Sequence, residues 1–262
     1  MSALQSAATG MMGQELKIDV IANNIANIST NGYKRRDVVF QDLLYIRMQR
    51  PGYNAGSTSP GSPSGIQIGL GVNVGSIHAI FEQGPLKQTN NPTDVAISGE
   101  GFFRIQTPDG KMFYTRDGAF KINAAGQLVT SDGMEVSPGI TLPEGSTEVT
   151  IASNGDVSAK VNGNNIPQNF NRIDLAVFIN PKGLEPVGKN LFIETESSGT
   201  AVIGAPEDPG FASLIQRYIE ESNVSSVMEI TEMIKAQRAY EMSANVMEVA
   251  AEVLRKASNI QT

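Results

Sequence analysis

The chain contains no cysteine, no tryptophan and a single histidine. Without cysteine, disulfides and thiolate metal sites are both excluded, and passage between compartments of different redox state meets no obstacle. Acidic residues outnumber basic ones, 27 to 20, and the net charge of −7 excludes a general binder of phosphate backbones. No lysine or arginine precedes Lys17, and the apolar residues before it are spaced rather than continuous, so the start does not read as a signal peptide. Nothing approaches the roughly 18 consecutive apolar residues of a membrane helix. The expectation is a chain with no nucleic-acid partner and no membrane insertion, cytosolic or exported by a route that reads no cleavable signal. What is present, 40% apolar and 18% charged residues, is the composition of a globular chain.

Apolar residues recur with a helical period at both ends. From Leu4, the residues Ala7, Ala8, Met11, Met12, Ile18, Ile21, Ala22, Ile25, Ala26 and Ile28 fall in an arc of roughly 200° on a helical wheel, about twice the width that one packing partner requires. Leu4, Met11, Ile18 and Ile25 are spaced by heptads. Glu15 falls inside the apolar arc, either as an edge residue or as half of an ion pair. Asn31-Gly32 supplies turn chemistry that ends the helix near Asn27 or Ile28. Near the other end, Ser226-Val-Met-Glu229 has the form of a capping box. Heptad columns follow: Met233, Tyr240, Met247 and Leu254 in one, Ala239, Val246, Val253 and Ile260 in another. Gln237, Glu241, Glu248 and Glu252 lie on the narrow polar face. Residues 226–260 would make a rod of roughly 50 Å. Two apolar arcs this wide cannot all be buried in one monomer. The termini are therefore expected to be assembly elements, partly disordered until other subunits cover them.

Between the helices the pattern changes. Tyr33–Arg50 opens on a basic cluster, Lys34-Arg35-Arg36, and its period is ambiguous. Residues 51–65 are almost wholly Gly, Ser, Pro, Asn and Thr, a composition of flexible loops, yet a loop this long in a compact domain is usually functional or disordered. Ile66–Val74 alternates as a strand with one apolar face. Turn residues at 108–110, 123–126, 132–133, 154–155 and 181–183 then separate short β runs, the spacing of a small antiparallel barrel or sandwich. The fold expected is α+β: long terminal helices in an antiparallel coiled-coil-like pair, with a central antiparallel β domain. Its divisions are 1–32 with 226–262 as the helical core, 33–75 as an extended linker, and 76–225 as the β domain.

Chemistry is scarce. His78 lies in a β run with no serine and aspartate arranged for a triad. The glycines from Gly69 to Gly75 lack the spacing and the following helix of a dinucleotide fingerprint. Asp94, Asp109, Asp117 and Asp132 mostly adjoin turn glycines, where aspartate caps its own backbone. A hydrolytic carboxylate pair is the one catalytic alternative. No catalytic, cofactor or metal residue is assigned, and the chain does not read as an enzyme.

Three blocks carry a resemblance: Ala22-Asn-Asn-Ile-Ala-Asn-Ile-Ser-Thr-Asn-Gly-Tyr-Lys34; Asn91–Phe103 with Tyr114–Phe120 and Gly126–Thr130; and Glu221–Val224 with Met233–Glu241. In this order they resemble the bacterial flagellar axial proteins, the rod and hook subunits. Departures are Thr93, where a large aliphatic residue is usual, and Ser225, where an acidic residue or Asn is common. Chain length and the segment at 43–75 are most similar to the distal-rod branch; proximal rod and hook subunits are the alternatives within the family. A secreted β-rich binding protein or hydrolase with oligomerising helical ends is the alternative outside it.

The resemblance implies a helical homopolymer with the paired helices inside and the β domain outside. Implied at the subunit interface are Leu4, Met11, Ile18, Ile21, Asn23, Asn24, Ile25, Asn27, Met233, Tyr240, Val246, Met247, Val253 and Leu254. Gln237, Glu241, Glu248 and Glu252 would face a central export channel, and a segment with Pro51, Tyr53, Pro60 and Pro63 would clamp a neighbour. Implied partners are further copies of the chain, proximal rod proteins, the hook protein, the surrounding peptidoglycan and outer-membrane ring proteins, and the export apparatus with its rod cap. The implied location is the basal body, as a rod spanning the periplasm.

Overall fold

The computed structural model describes residues 2–49, 65–143, 145–161 and 167–260. Residues 51–64, with Pro51, Tyr53, Pro60 and Pro63, lie outside the described residues. The chain forms two compact units. One comprises residues 1–25, 36–78 and 225–262, the other residues 26–35 and 79–224.

The first unit holds both helices, α1 (Ser2–Ala26) and α2 (Ser226–Ile260). Helix α1 ends one residue before the expected Asn27, because the chain turns over residues 27–32. The helices run antiparallel where they touch: Asn24 meets Glu229, Lys17 meets Glu232, and Gly10 lies against Ser243. A Cβ at Gly10 would sit 3.4 Å from Ser243 Oγ, an ordinary van der Waals contact.

Residues 36–49 and 65–79 form two separate two-stranded sheets. Arg36–Asp42 pairs with Val72–Ala79, and Tyr45–Gln49 pairs with Ile66–Gly69. The single strand expected over Ile66–Val74 is interrupted at Leu70-Gly71. Gly71 takes a φ of +118° and a Cβ there would strike Thr9, so the backbone bends beside α1 where only glycine fits. Phe40 packs on α1 at Gly13, and the Val72 N–H donates to Thr9 Oγ1. The ambiguous period of Tyr33–Arg50 thus resolves into two strands whose partners come from beyond residue 65.

The second unit is β throughout. Phe102–Gln106 sits centrally in a nine-stranded sheet, paired with Met112–Thr115 on one side and with Glu135–Val136 and Leu175–Val177 on the other. The expected hairpins at 108–110, 123–126 and 154–155 form. A closed barrel does not. The sheet ends at the two-residue strand Lys121–Ile122 and at Glu185–Gly188, and the strands Ser146–Ile151, Asp156–Val161 and Gln168–Arg172 form a separate sheet. Closure would require the outermost strands to pair with each other, and these are too short and too separated to do so.

Both faces of the central sheet are covered, because successive side chains of a strand point oppositely. Phe103 enters the larger core with Ile105, Phe120, Val136, Val157 and Leu214, and meets Phe120 edge to face at 5.0 Å. Phe102 enters the smaller one with Tyr114, Phe178, Leu184 and Phe192.

Candidate assembly surfaces and the joint beside them

The Ala22–Lys34 block divides into two contact sets. In the first unit, Asn24 is only 1% exposed. Its Oδ1 accepts the Arg36 N–H at 2.9 Å, while Nδ2 donates to the Arg36 carbonyl at 2.9 Å and to Glu229 Oε2 at 3.1 Å. One amide side chain thus closes a turn as a backbone peptide would and also ties the end of α1 to the start of α2.

In the second unit, Gly32 has a φ of +67°, and a Cβ there would stand 2.7 Å from the Asp117 backbone nitrogen. Its N–H donates to the Glu220 carbonyl at 2.8 Å. Lys34, the first residue of the basic cluster, is buried. Its Nζ donates to Glu220 Oε1 at 2.5 Å and to the Glu82 carbonyl at 2.6 Å. Glu220 Oε1 also accepts the Gly84 N–H at 2.9 Å, and Glu220 Oε2 lies 3.5 Å from Arg116. Arg116 donates to the Gly99 carbonyl and lies over the Phe102 ring at 5.6 Å. Burial pushes both Lys34 and Arg116 below their ordinary pKa values, and Glu220 opposes the shift in each. Two cations share one carboxylate in a dry site, and the Glu82 and Gly99 carbonyls each accept one further bond from them, while Arg116 Nε and Nη1 are left without a hydrogen-bond partner. No local pattern in the sequence points to this cluster, since its members come from distant segments.

The expected interface residues fall into different environments. Ile21 and Asn24 are buried within the subunit, whereas Leu4, Met11, Ile18, Ile25, Asn27, Met233 and Met247 are partly buried. Asn23, Tyr240, Val246, Val253 and Leu254 are exposed. Asn27 accepts hydrogen bonds from the Thr30 hydroxyl and N–H. The second half of α2 carries Met242, Val246, Val249 and Val253 at 52–62% exposure. Gln237, Glu241, Glu248 and Glu252 are all exposed. Glu252 pairs with Lys256 one turn on, at 2.8 Å. Glu15 is exposed at the edge of its arc.

Catalytic constellations do not emerge. Among the described residues no His, Asp and Glu cluster could hold a metal ion, and no helix is long and apolar enough to cross a membrane. Asp117 caps the Ala119 N–H through Oδ1 at 3.0 Å, and its burial raises its pKa. That is the turn-capping role its position beside Gly118 suggests.

Comparison with known proteins finds matches along most of the chain. Residues 4–34 match the family model described as flagella basal body rod protein. Residues 96–159 match the flagellar hook protein FlgE/F/G D1 domain, and residues 215–260 the flagellar basal body rod FlgEFG protein C-terminal. A flagellar basal-body rod protein FlgG of Caulobacter vibrioides is 47% identical over 262 residues, covering 100% of both chains. One of the same name from Agrobacterium fabrum is 45% identical over 253 residues, 97% of each. Caulobacter vibrioides also has a flagellar basal-body rod protein FlgF that is 32% identical over 260 residues, 98% of this chain and 96% of its own.

Proposed function

This chain belongs to the family of flagellar basal-body rod proteins, structural proteins rather than enzymes, and from that premise we infer that it is a structural subunit of the distal rod. Its work is to polymerise with copies of itself into a rigid helical tube. The tube would transmit torque from the motor to the hook and enclose the channel through which further subunits are exported. The higher identity to the FlgG relatives than to the FlgF relative, over equal lengths, favours the distal over the proximal position.

One structural observation supports polymerisation above the others. Half of α2 presents valine, methionine and leucine to water, and a monomer gains nothing by leaving so much apolar surface uncovered. In the tube, the heptad columns of α2 would continue against neighbouring copies in coiled-coil fashion, with Leu4, Met11, Ile18 and Ile25 on α1 and Tyr240, Val246, Val253 and Leu254 on α2. Asn24 would then act from inside the subunit, holding the two helix ends together, while Asn23 and Asn27 stand nearer the neighbour. Gln237, Glu241, Glu248 and Glu252 are proposed to face the channel, and residues 51–65 to clamp an adjacent subunit. The helical core would be 1–32 with 226–262, joined through 33–75 to a β domain of 76–225.

The partners proposed beyond the chain itself are the proximal rod proteins, the hook protein, the surrounding rings, and the export apparatus with its cap. The rod would span the periplasm. Electron microscopy of the purified chain at high concentration tests the reading. Straight tubes of uniform width are expected; monomers or closed oligomers at all concentrations would overturn it.

A further inference from the structure

The chain passes between its two compact units at residues 25–26, 35–36, 78–79 and 224–225. Within the second unit, the residues beside these passages are bound to one another. The Arg35 N–H donates to Asn223 Oδ1 at 2.7 Å, the Ile80 N–H to the Arg35 carbonyl at 2.8 Å, and Asn223 Nδ2 to the Ile80 carbonyl at 2.9 Å. One residue before Arg35 is Lys34, and three before Asn223 is Glu220. The buried pair therefore joins the segment that follows α1 to the segment that precedes α2.

The two apolar clusters of the β body supply its own burial, and Arg116 touches the smaller one through the Phe102 ring. Glu220 ends the last strand of that body, Tyr218–Glu220, which pairs with Leu86–Gln88. Until that strand docks, Lys34 and Arg116 lack the carboxylate they share. A buried charge without its partner is strongly disfavoured, so a half-closed cluster is not a populated state.

We propose that Lys34, Arg116 and Glu220 are positioning residues for polymerisation: their cluster closes only when the last strand of the β body is in place, and its closure fixes the segment that follows α1 and the segment that precedes α2. This inference rests on the rod reading. It gives the buried charges a task that an apolar plug of equal volume would not perform, because apolar side chains tolerate several packings whereas the bonds of Lys34 to Glu220 and the Glu82 carbonyl, and of the Gly84 N–H to Glu220, are directional. An incompletely folded chain would then present its helices without fixed roots and would add poorly to a growing tube.

The test uses the full-length chain with the triple substitution Lys34→Met, Arg116→Met and Glu220→Gln. Glutamine retains the acceptor that the Gly84 N–H needs, and no charge remains buried. Amide exchange across residues 95–178 reports the β body; sedimentation and electron microscopy report the critical concentration for tubes. The expected result is wild-type protection of the β body with a critical concentration raised at least about tenfold, a change worth about 1.4 kcal/mol per subunit added. Tubes at the wild-type concentration from a triple variant with an intact β body would overturn the proposal. So would loss of β-body protection, which would make the cluster part of that body's own folding. If the wild-type chain forms no tubes, it is the rod reading that fails.

Discussion

Lys34 Nζ and Glu220 Oε1 stand 2.5 Å apart with side chains 1% and 0% exposed, although 186 residues separate them along the chain. This contact explains why Gly-Tyr-Lys ends the Ala22–Lys34 block. Gly32 passes close to the Arg116-Asp117 backbone, Tyr33 is buried, and Lys34 closes on the far end of the β body. The block is an internal joint as well as the end of a helix.

Gly32→Ala should be among the most damaging small substitutions in the second unit. The left-handed backbone alone disfavours a Cβ by about 1–2 kcal/mol. The new methyl would also stand 2.7 and 2.8 Å from main-chain atoms of Asp117 and Arg116, which have no rotamer to move away with. A total loss of about 2–4 kcal/mol is expected. Urea denaturation checks it, and a loss below about 0.5 kcal/mol, the range of neutral surface changes, would contradict the fitted geometry.

Asn24→Ala removes the hydrogen bonds to both main-chain groups of Arg36 and to Glu229. Loss of those buried hydrogen bonds should destabilise the first unit by about 2–4 kcal/mol. Asn24→Asp preserves the shape but sets a second carboxylate against Glu229, so its loss should be larger at pH 7. Amide exchange at the end of α1 and the start of α2 reads both variants. Equal behaviour of the two at pH 7 would show that Glu229 does not face Asn24 as a charge.

Much of this architecture is legible from one sequence because helix period, turn residues and strand alternation are local. Helix α2 begins at Ser226, and the Asp109-Gly110 and Asn154-Gly155 turns join paired strands. What escapes is non-local. Nothing near Lys34 distinguishes it from Arg35, since its burial is decided by Glu220. The two strands within Tyr33–Arg50 depend on partners past residue 65, so their own period is weak. Asn24 reads as a helix-surface amide until Arg36 and Glu229 are placed around it. The open sheet is likewise invisible, because short strands with regular turns suit a barrel and a layered arrangement equally well.

Glu232 offers a pH test of the helix pair. Hydrogen bonds from Lys235 and from Lys17 hold its carboxyl at about 2, below the ordinary 4.5. A depressed carboxyl contributes stability in full above pH 4.5 and loses it as pH falls toward 2. The side chain is 34% exposed, so solvent screening limits the contribution to under about 1 kcal/mol. Glu232→Gln should therefore lower stability slightly at pH 6 and converge with the wild type near pH 2. A difference independent of pH would assign the effect to packing.

Val253→Lys separates the monomer from the polymer. Val253 is 60% exposed in the subunit, and Val246, one heptad earlier in the same column, is 52% exposed. A lysine in open solvent on a helix surface should change monomer stability by less than about 0.5 kcal/mol. In a tube the same position would lie against neighbouring helices, where an unpaired ammonium has nothing to replace its water. Circular dichroism and thermal unfolding should thus match the wild type, while tubes fail to form at any accessible concentration. The same substitution at Gln237, on the polar face, should leave assembly intact. If Val253→Lys polymerises normally, the apolar column does not meet another subunit, and the exposed face of α2 needs a different occupant.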